Sequence, residues 1–454
     1  MKLLVIQKPK KIIDIHSLKD IFHSISWETI EKLAFLSIMA YILTPVTQFF
    51  ASLYYDILFD SVHPYYVTFK YASRFSLVLC IPITILYIGK NIVEKYSIRR
   101  FFKDNPAMLF FIPYVILMIV STFINGFTTM AMRGGLVRRE SLFVFIMYFL
   151  VYYFQSSIIE NKKLKSIINY TFLLGGLFIG LLMLVHIYIH PIKPLTFEGY
   201  ETMITAIFFN SNHYAYYLTM IVIMSGGLFI LEKNKLLKYL CLASFTVNTV
   251  ILIINNTLGC YISSLLGLLF TAIVIGICGK KFEFRLFIPL ILFILITFLM
   301  SFAYKTVLSS LLVMFIDIKN IYANEENSDS AGSGRWRLWK ATIKYISEKP
   351  IFGFGTDGIY KRLVKEAGNA RTHNEFLQYT AFYGIPAGIM YVAGDVSVFI
   401  KGLKYRYKLD IYTLTGLAAA FGYLVSSFFG TSFFYTSPFL FIFLGIGLSG
   451  KKHA

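Results

Sequence analysis

SGRWRLWKATIKYISEKPIFGFGTDGIYKRLVKEAGNARTHNEFLQYTAFYG, from Ser333 to Gly384, is the longest soluble-looking stretch in a chain otherwise made of apolar runs. It interleaves arginines with tryptophans (Arg335, Trp336, Arg337, Trp339). A Gly353-Phe354-Gly355 turn and an Arg371-Thr372-His373-Asn374 loop follow. Spacing predicts two short amphipathic helices here. Trp336, Trp339, Ile343 and Ile346 share one stripe over about 334–347, which stops before Pro350 because a residue preceding proline is pushed out of the α region. Ile359 and Leu363 share a face over about 357–367, with Gly368 as the cap.

Soluble domains carry about a quarter charged residues. Here 15% are charged, 57% hydrophobic and 18% aromatic, which places the chain among membrane proteins. Its 454 residues would otherwise make about three soluble domains. The net charge of +19 sits in short clusters between apolar runs, the pattern of cytoplasmic anchoring and not of a nucleic-acid groove. Cys80, Cys241, Cys260 and Cys278 lie in or beside apolar segments without metal-type spacing, so they read as packing residues.

In residues 1–30, Ile12, Ile15, Leu18, Phe22 and Ile25 recur at helical spacing among lysines. An amphipathic helix on the inner membrane surface is expected, with a disordered tail as the alternative. These residues lack a short apolar core with a small-residue cleavage site, so the first apolar run is expected to act as the insertion signal.

Runs able to cross about 30 Å of hydrocarbon fall near 33–55, 73–90, 107–129, 141–159, 167–190, 210–231, 239–255, 258–278, 286–304, 375–400, 411–429 and 433–449. With the amino terminus inside, the inner segments collect 26 of the 43 Lys and Arg. Short outer segments hold six (Lys70, Arg74, Arg133, Arg138, Arg139, Lys193), and the long outer segment holds 11. Long segments escape the positive-inside rule, so this topology is self-consistent. The expected fold is all-α, a polytopic membrane bundle of about twelve transmembrane helices. A cytoplasmic segment, 1–30, precedes nine helices over 31–304. An extracytoplasmic loop, 305–374, carries the chemistry, and three helices fill 375–454. Both termini are expected in the cytoplasm.

Ionisable residues are scarce in the apolar runs. Asp395 and His186 are the exceptions, each read towards one end of its helix, and this scarcity counts against an ion-coupled transporter. The outer face collects the unusual residues. Arg133, Arg138 and Arg139 run against the charge trend and suit an anionic head group, since guanidinium pairs bidentately with phosphate. Asn210, Asn212 and His213 open the sixth helix, where free N–H groups also attract anions. Arg335, Arg337 and Arg371 add positive charge. Arg371 and His373, two apart in an extended segment, would face one site. Gly353 and Gly355 would let backbone approach a phosphate, although a plain turn reads as well. Trp336 and Trp339 either stack on sugar or anchor their helix in the interface.

Five motifs then fall in order. They are Asn210-Ser-Asn-His-Tyr-Ala-x-x-Leu218, Thr257-Leu-Gly-x-x-x-Ser-x-Leu265, Ser333-Gly-Arg-x-x-Leu-Trp339, Pro350-Ile-x-Gly-x-Gly355 and His373-Asn-x-x-Leu-Gln378. Together, over about residues 205–390, they resemble the O-antigen ligase and polysaccharide polymerase family. His373-Asn374 followed at a distance by Gly384 looks like that family's ligase signature, although Ile385-Pro386-Ala387-Gly388 fits it loosely. One departure is the stretch Asn255 to Tyr261, where relatives often carry an arginine. Arg138 or Arg139 is expected to supply the missing phosphate contact.

The resemblance implies a GT-C-like membrane glycosyltransferase of the cell envelope, acting on a polyprenyl-diphosphate-linked glycan and a glycan or lipid-linked glycan acceptor. Other polysaccharide export components are expected as associates. A diphosphate is a good leaving group, so the reaction needs positive charge and a base, not a metal or cofactor. His373 is the expected base, since histidine titrates near neutrality. Arg335, Arg371, Arg337, Arg138 and Arg139 are the expected diphosphate ligands, supported by Asn210, His213, Asn374 and Gly355. Polymerisation into a capsule-like or O-antigen-like polysaccharide is the first reading. Transfer of finished glycan to another acceptor, and flipping of lipid-linked sugars, are the alternatives.

Overall fold

The computed structural model describes residues 18–53, 67–134, 140–192, 195, 204–208, 210–279, 283–304, 306–323, 326–405 and 409–448. Among them there are helices and turns and no strand. The expected amphipathic segment, 1–30, lies mostly outside the described residues. Its remainder includes α1 (Leu18–Ser24), α2 (Trp27–Ile42) and then α3 (Thr44–Leu53) follow, and α4 is Val67–Val93. The Phe22 ring lies directly against Gly89 of α4, where a Cβ would meet it at 2.4 Å, so α1 is docked on the bundle.

The chain continues through α5 (Ile98–Asp104), α6 (Met108–Ile124), the short α7 (Thr129–Arg133), α8 (Leu142–Ile158) and α9 (Lys162–Tyr188). Next come α10 (Ser211–Leu231), α11 (Lys235–Asn255), α12 (Leu258–Gly279) and α13 (Ile288–Ala303). The segment expected as loop holds α14 (Thr306–Tyr322), α15 (Arg335–Glu348) and α16 (Tyr360–Ala367). The chain closes with α17 (Glu375–Tyr383), α18 (Ile385–Lys404), α19 (Ile411–Ser426) and α20 (Ser437–Leu448). Eight described helices are long and apolar enough to cross a membrane. The pairs α2–α3 and α5–α6, bent by 46° and 99°, can each make one more span, and α8 and α20 are shorter apolar helices. This is a polytopic membrane helix bundle.

Local chemistry sets the helix starts. Side chains of Ser26, Asn161, Asn210, Asn234, Asn374 and Asp410 each accept from a backbone N–H of the first turn that follows, satisfying donors the helix leaves free. α10 is apolar all round and is the hub, with 83% of its hydrophobic window buried, as expected of a helix without a solvent face. Small residues let neighbours close on it: Gly176 of α9 and Gly267 of α12 receive Ile221 and Ile223.

The tenth apolar run does not form one helix. Gly384, at φ +93°, ends α17, and a Cβ there would stand 2.0 Å from the Ile351 carbonyl. Because α18 starts only at Ile385, Asp395 lies near its middle, not towards an end as expected. Residues 350–355 run across this break. Ile385 N–H donates to Pro350 O (2.7 Å), Phe354 N–H to Ala381 O (3.1 Å) and Gly355 N–H to Phe382 O (2.7 Å). Ser121 of α6 donates to Phe382 O at 2.9 Å and also to Phe352 O, locking the crossing to the bundle.

Candidate active site

A cavity of about 920 Å³ opens where α10 begins, α11 breaks into α12, and α14 and α15 meet. The break is built by asparagines. Asn256 takes the left-handed conformation (φ +57°) that asparagine tolerates. Asn255 Nδ2 donates to Ile204 O at 2.7 Å and Ser211 O at 3.2 Å, tying the break to the start of α10. Thr257 Oγ1 donates to Asn255 Oδ1 at 2.5 Å, and Ser310 Oγ of α14 to Asn256 Oδ1 at 3.1 Å.

The opposite wall is the start of α15. Gly332, Ser333 and Gly334 all have positive φ (+60°, +58°, +82°), a turn in which glycine at two positions avoids the Cβ penalty. Asp317 of α14 accepts the Gly332 N–H at 2.8 Å, and Arg335 Nη1 donates to Gly332 O at 3.2 Å. Arg335, Trp336 and Trp339 thereby line the cavity, together with Asn212, Tyr216 and Thr257. Both tryptophans face the cavity. Arg335 stands across from the Asn255–Tyr261 stretch that carries no arginine of its own.

His373 is half-buried and is not among the residues lining the cavity, whereas Trp339 is. The Trp339 indole donates to the His373 carbonyl at 3.4 Å, and the Asn369 side-chain amide is 3.0 Å from Nε2. An amide donating there leaves Nε2 as acceptor and the proton on Nδ1. Asn374 caps α17, accepting from Leu377 N–H at 3.0 Å.

The extended Arg371–His373 geometry is corrected. His373 has φ +50°, so the two side chains do not share a side of a strand. Arg371 is 2% exposed, its Nη1 2.8 Å from Asp357 Oδ1 and its Nη2 3.6 Å from Glu140 Oε2. Tyr148 donates to Glu140 Oε1 at 2.7 Å. Residues Tyr148–Tyr153 of α8 form a π-helical turn. The guanidinium is a bolt between Glu140 just ahead of α8, the 357 turn and the 371 loop. Arg337, exposed, donates to Ala367 O at the end of α16 (3.1 Å) and joins α15 to α16. Arg138 and Arg139 lie outside the described residues. His213 is buried, stacked on Phe433 at 4.5 Å, and Asn210 is the exposed cap of α10. Neither lines the cavity. Gly355, with Gly353, brings backbone close to protein carbonyls and not to an open anion site: a Cβ on Gly353 would sit 2.5 Å from Phe382 O.

Asp317 and Ser310 were missed because α14 was read as loop, although its Leu311, Met314, Phe315 and Ile318 recur at helical spacing. Asn369, four residues before His373, lay inside the quoted stretch without a motif to mark it.

The bundle is that of a multi-pass membrane protein, and Arg335 lines a cavity where several of its helices begin or break. Residues 242–392, from α11 into α18, match the family model described as O-Antigen ligase, so this part of the chain is similar to that family. A search among curated proteins gives no match.

Proposed function

We propose that the chain polymerises polyprenyl-diphosphate-linked repeat units into a surface polysaccharide, with the cavity on the outer face of the cell membrane and both termini inside. The observation that carries this reading is the placing of Arg335 and Trp339 on one cavity wall with His373 hydrogen-bonded behind Trp339. The donor diphosphate sits against Arg335 and the free N–H groups of the α10 start. An acceptor hydroxyl displaces the Asn369 amide from His373 Nε2 and gives up its proton there. Its oxygen attacks the anomeric carbon, the carbon–oxygen bond to diphosphate breaks, and the leaving group departs with the electron pair towards Arg335. Arg371 and Arg337 position the segments that carry these groups. No metal is assigned a role, because guanidinium supplies the positive charge.

The glycan profile of a deletion strain tests this. Loss of long chains with single lipid-linked units retained supports polymerisation. Accumulation of long lipid-linked chains means a ligase, and absence of outer-face units means a flippase.

A further inference from the structure

A second cavity system lies on the lipid-facing side of α4, apart from the Arg335 cavity. Its long part, about 740 Å³, is lined almost wholly by apolar side chains of α4, α6 and α8, among them the exposed Ile81, Ile85 and Ile88. At one end it meets a smaller cavity of about 220 Å³ whose walls include Lys70, Arg74 and Arg133. Leu77, Phe143 and Met147 line both, so the two adjoin. An apolar trough ending under three cations has the shape and charge of a site for a lipid phosphate.

Its length selects the lipid. Leu77 and Asn91 line the trough fourteen residues apart on α4, about 21 Å of helix at 1.5 Å per residue, and Tyr96 and Ile98 extend it. One leaflet offers only ~15 Å of hydrocarbon. An ordinary phospholipid anchored at the cations would leave the far end unfilled, whereas a polyprenyl chain crosses the midplane.

The mouth also points to a partner for the first site. Ser141 and Tyr148 line it. Tyr148 bonds Glu140, which pairs with Arg371, two residues from His373. Beyond His373 stands Trp339, a wall of the Arg335 cavity. The 371–373 segment thus lies between the two cavities.

We propose that the α4 trough seats the polyprenyl chain of a second lipid-linked substrate, the acceptor, with its phosphates under Lys70, Arg74 and Arg133. This rests on the polymerase reading, since a polymerase joins two polyprenyl-linked glycans where a ligase binds one.

The test uses the purified full chain in phosphatidylcholine nanodiscs and a polyprenyl monophosphate with a diazirine at its chain end. Peptides 77–98 and 143–154 are expected to carry label after photolysis. Label there should fall about fivefold for each cation removed in Lys70→Glu, Arg74→Glu and Arg133→Glu, and should be lost in Ile85→Trp, which fills the trough from an exposed position. Should Ile85→Trp fail to fold, the charge variants at the cavity's rim still decide. Label confined to peptides of the Arg335 cavity, or label removed equally by excess phosphatidylglycerol, overturns the proposal. Binding is read without turnover. A chain that labels but makes no polymer sinks the function alone, and one that polymerises without labelling sinks the trough alone. His373→Ala should abolish polymer and keep the label.

Discussion

The indole of Trp339 donates its hydrogen bond to the backbone carbonyl of His373 across 34 residues of chain, at 3.4 Å. The wall of the cavity and the proposed base are therefore one unit. Moving α15 moves His373. Replacing Trp339 by Phe keeps the ring and removes the donor, and turnover of purified enzyme on lipid-linked units should fall several-fold with donor binding little changed. His373→Ala should cost about 10²–10⁴ in kcat, the usual worth of a positioned acid or base. Full turnover in that variant would end the mechanism.

Arg335 is the described arginine that lines the cavity. Arg335→Ala should lower kcat about 10²–10³-fold, the scale of removing one preorganised donor from a developing anion. Arg335→Lys should recover only part of this, because an ammonium cannot make the bidentate contact. With guanidinium supplying the charge, turnover should survive prolonged chelation by EDTA; a loss restored by a divalent ion would displace Arg335 from its role.

Arg371 should behave differently. Its guanidinium is buried between Asp357 and Glu140, so Arg371→Ala leaves two carboxylates without their cation. Removing one partner of a buried pair costs about 3–5 kcal/mol, and thermal unfolding of the detergent-solubilised protein should report it. Normal melting with lost donor binding would instead make Arg371 a direct diphosphate ligand.

Gly384→Ala should be poorly tolerated. At φ +93° an L side chain is strained by about 1–3 kcal/mol, and its Cβ would meet Ile351 O at 2.0 Å. The 350–355 strap would lift from α17, and yield of folded membrane protein should drop. Gly126 also has positive φ (+88°) but has nothing within 4 Å, so Gly126→Ala measures the strain without the clash.

Asp395 is 3% exposed in the middle of α18, and neither carboxyl oxygen has a hydrogen-bond partner among the described residues. A buried polar group left unmade costs about 1–3 kcal/mol. Asp395→Leu should therefore melt higher than the wild type. If it also abolished turnover, the carboxyl would be serving function at the expense of stability.

Much of the fold was legible in the sequence. The twelve apolar runs all reappear as helical segments. The stripe from Trp336 to Ile346 became α15, one residue from its expected start, and Gly368 ends α16 in the left-handed conformation (φ +70°). These features depend on neighbours three or four residues away, or on the hydropathy of a window, and both are written locally. The candidate site was legible only in part. Arg335 could be chosen from its motif, but nothing local distinguishes it from Arg371, two equally charged residues with opposite surroundings.

The sequence by itself determined that the chain is helical, that it belongs in a membrane and that its polar residues gather in a few segments, because hydropathy and helical period are properties of short windows. The tertiary structure alone decided that Arg371 is sealed between Asp357 and Glu140, that Gly353 and Gly355 serve a backbone crossing, and that Trp339 holds His373. Each of those outcomes depends on groups brought together from separate segments, and local spacing carries no record of such meetings.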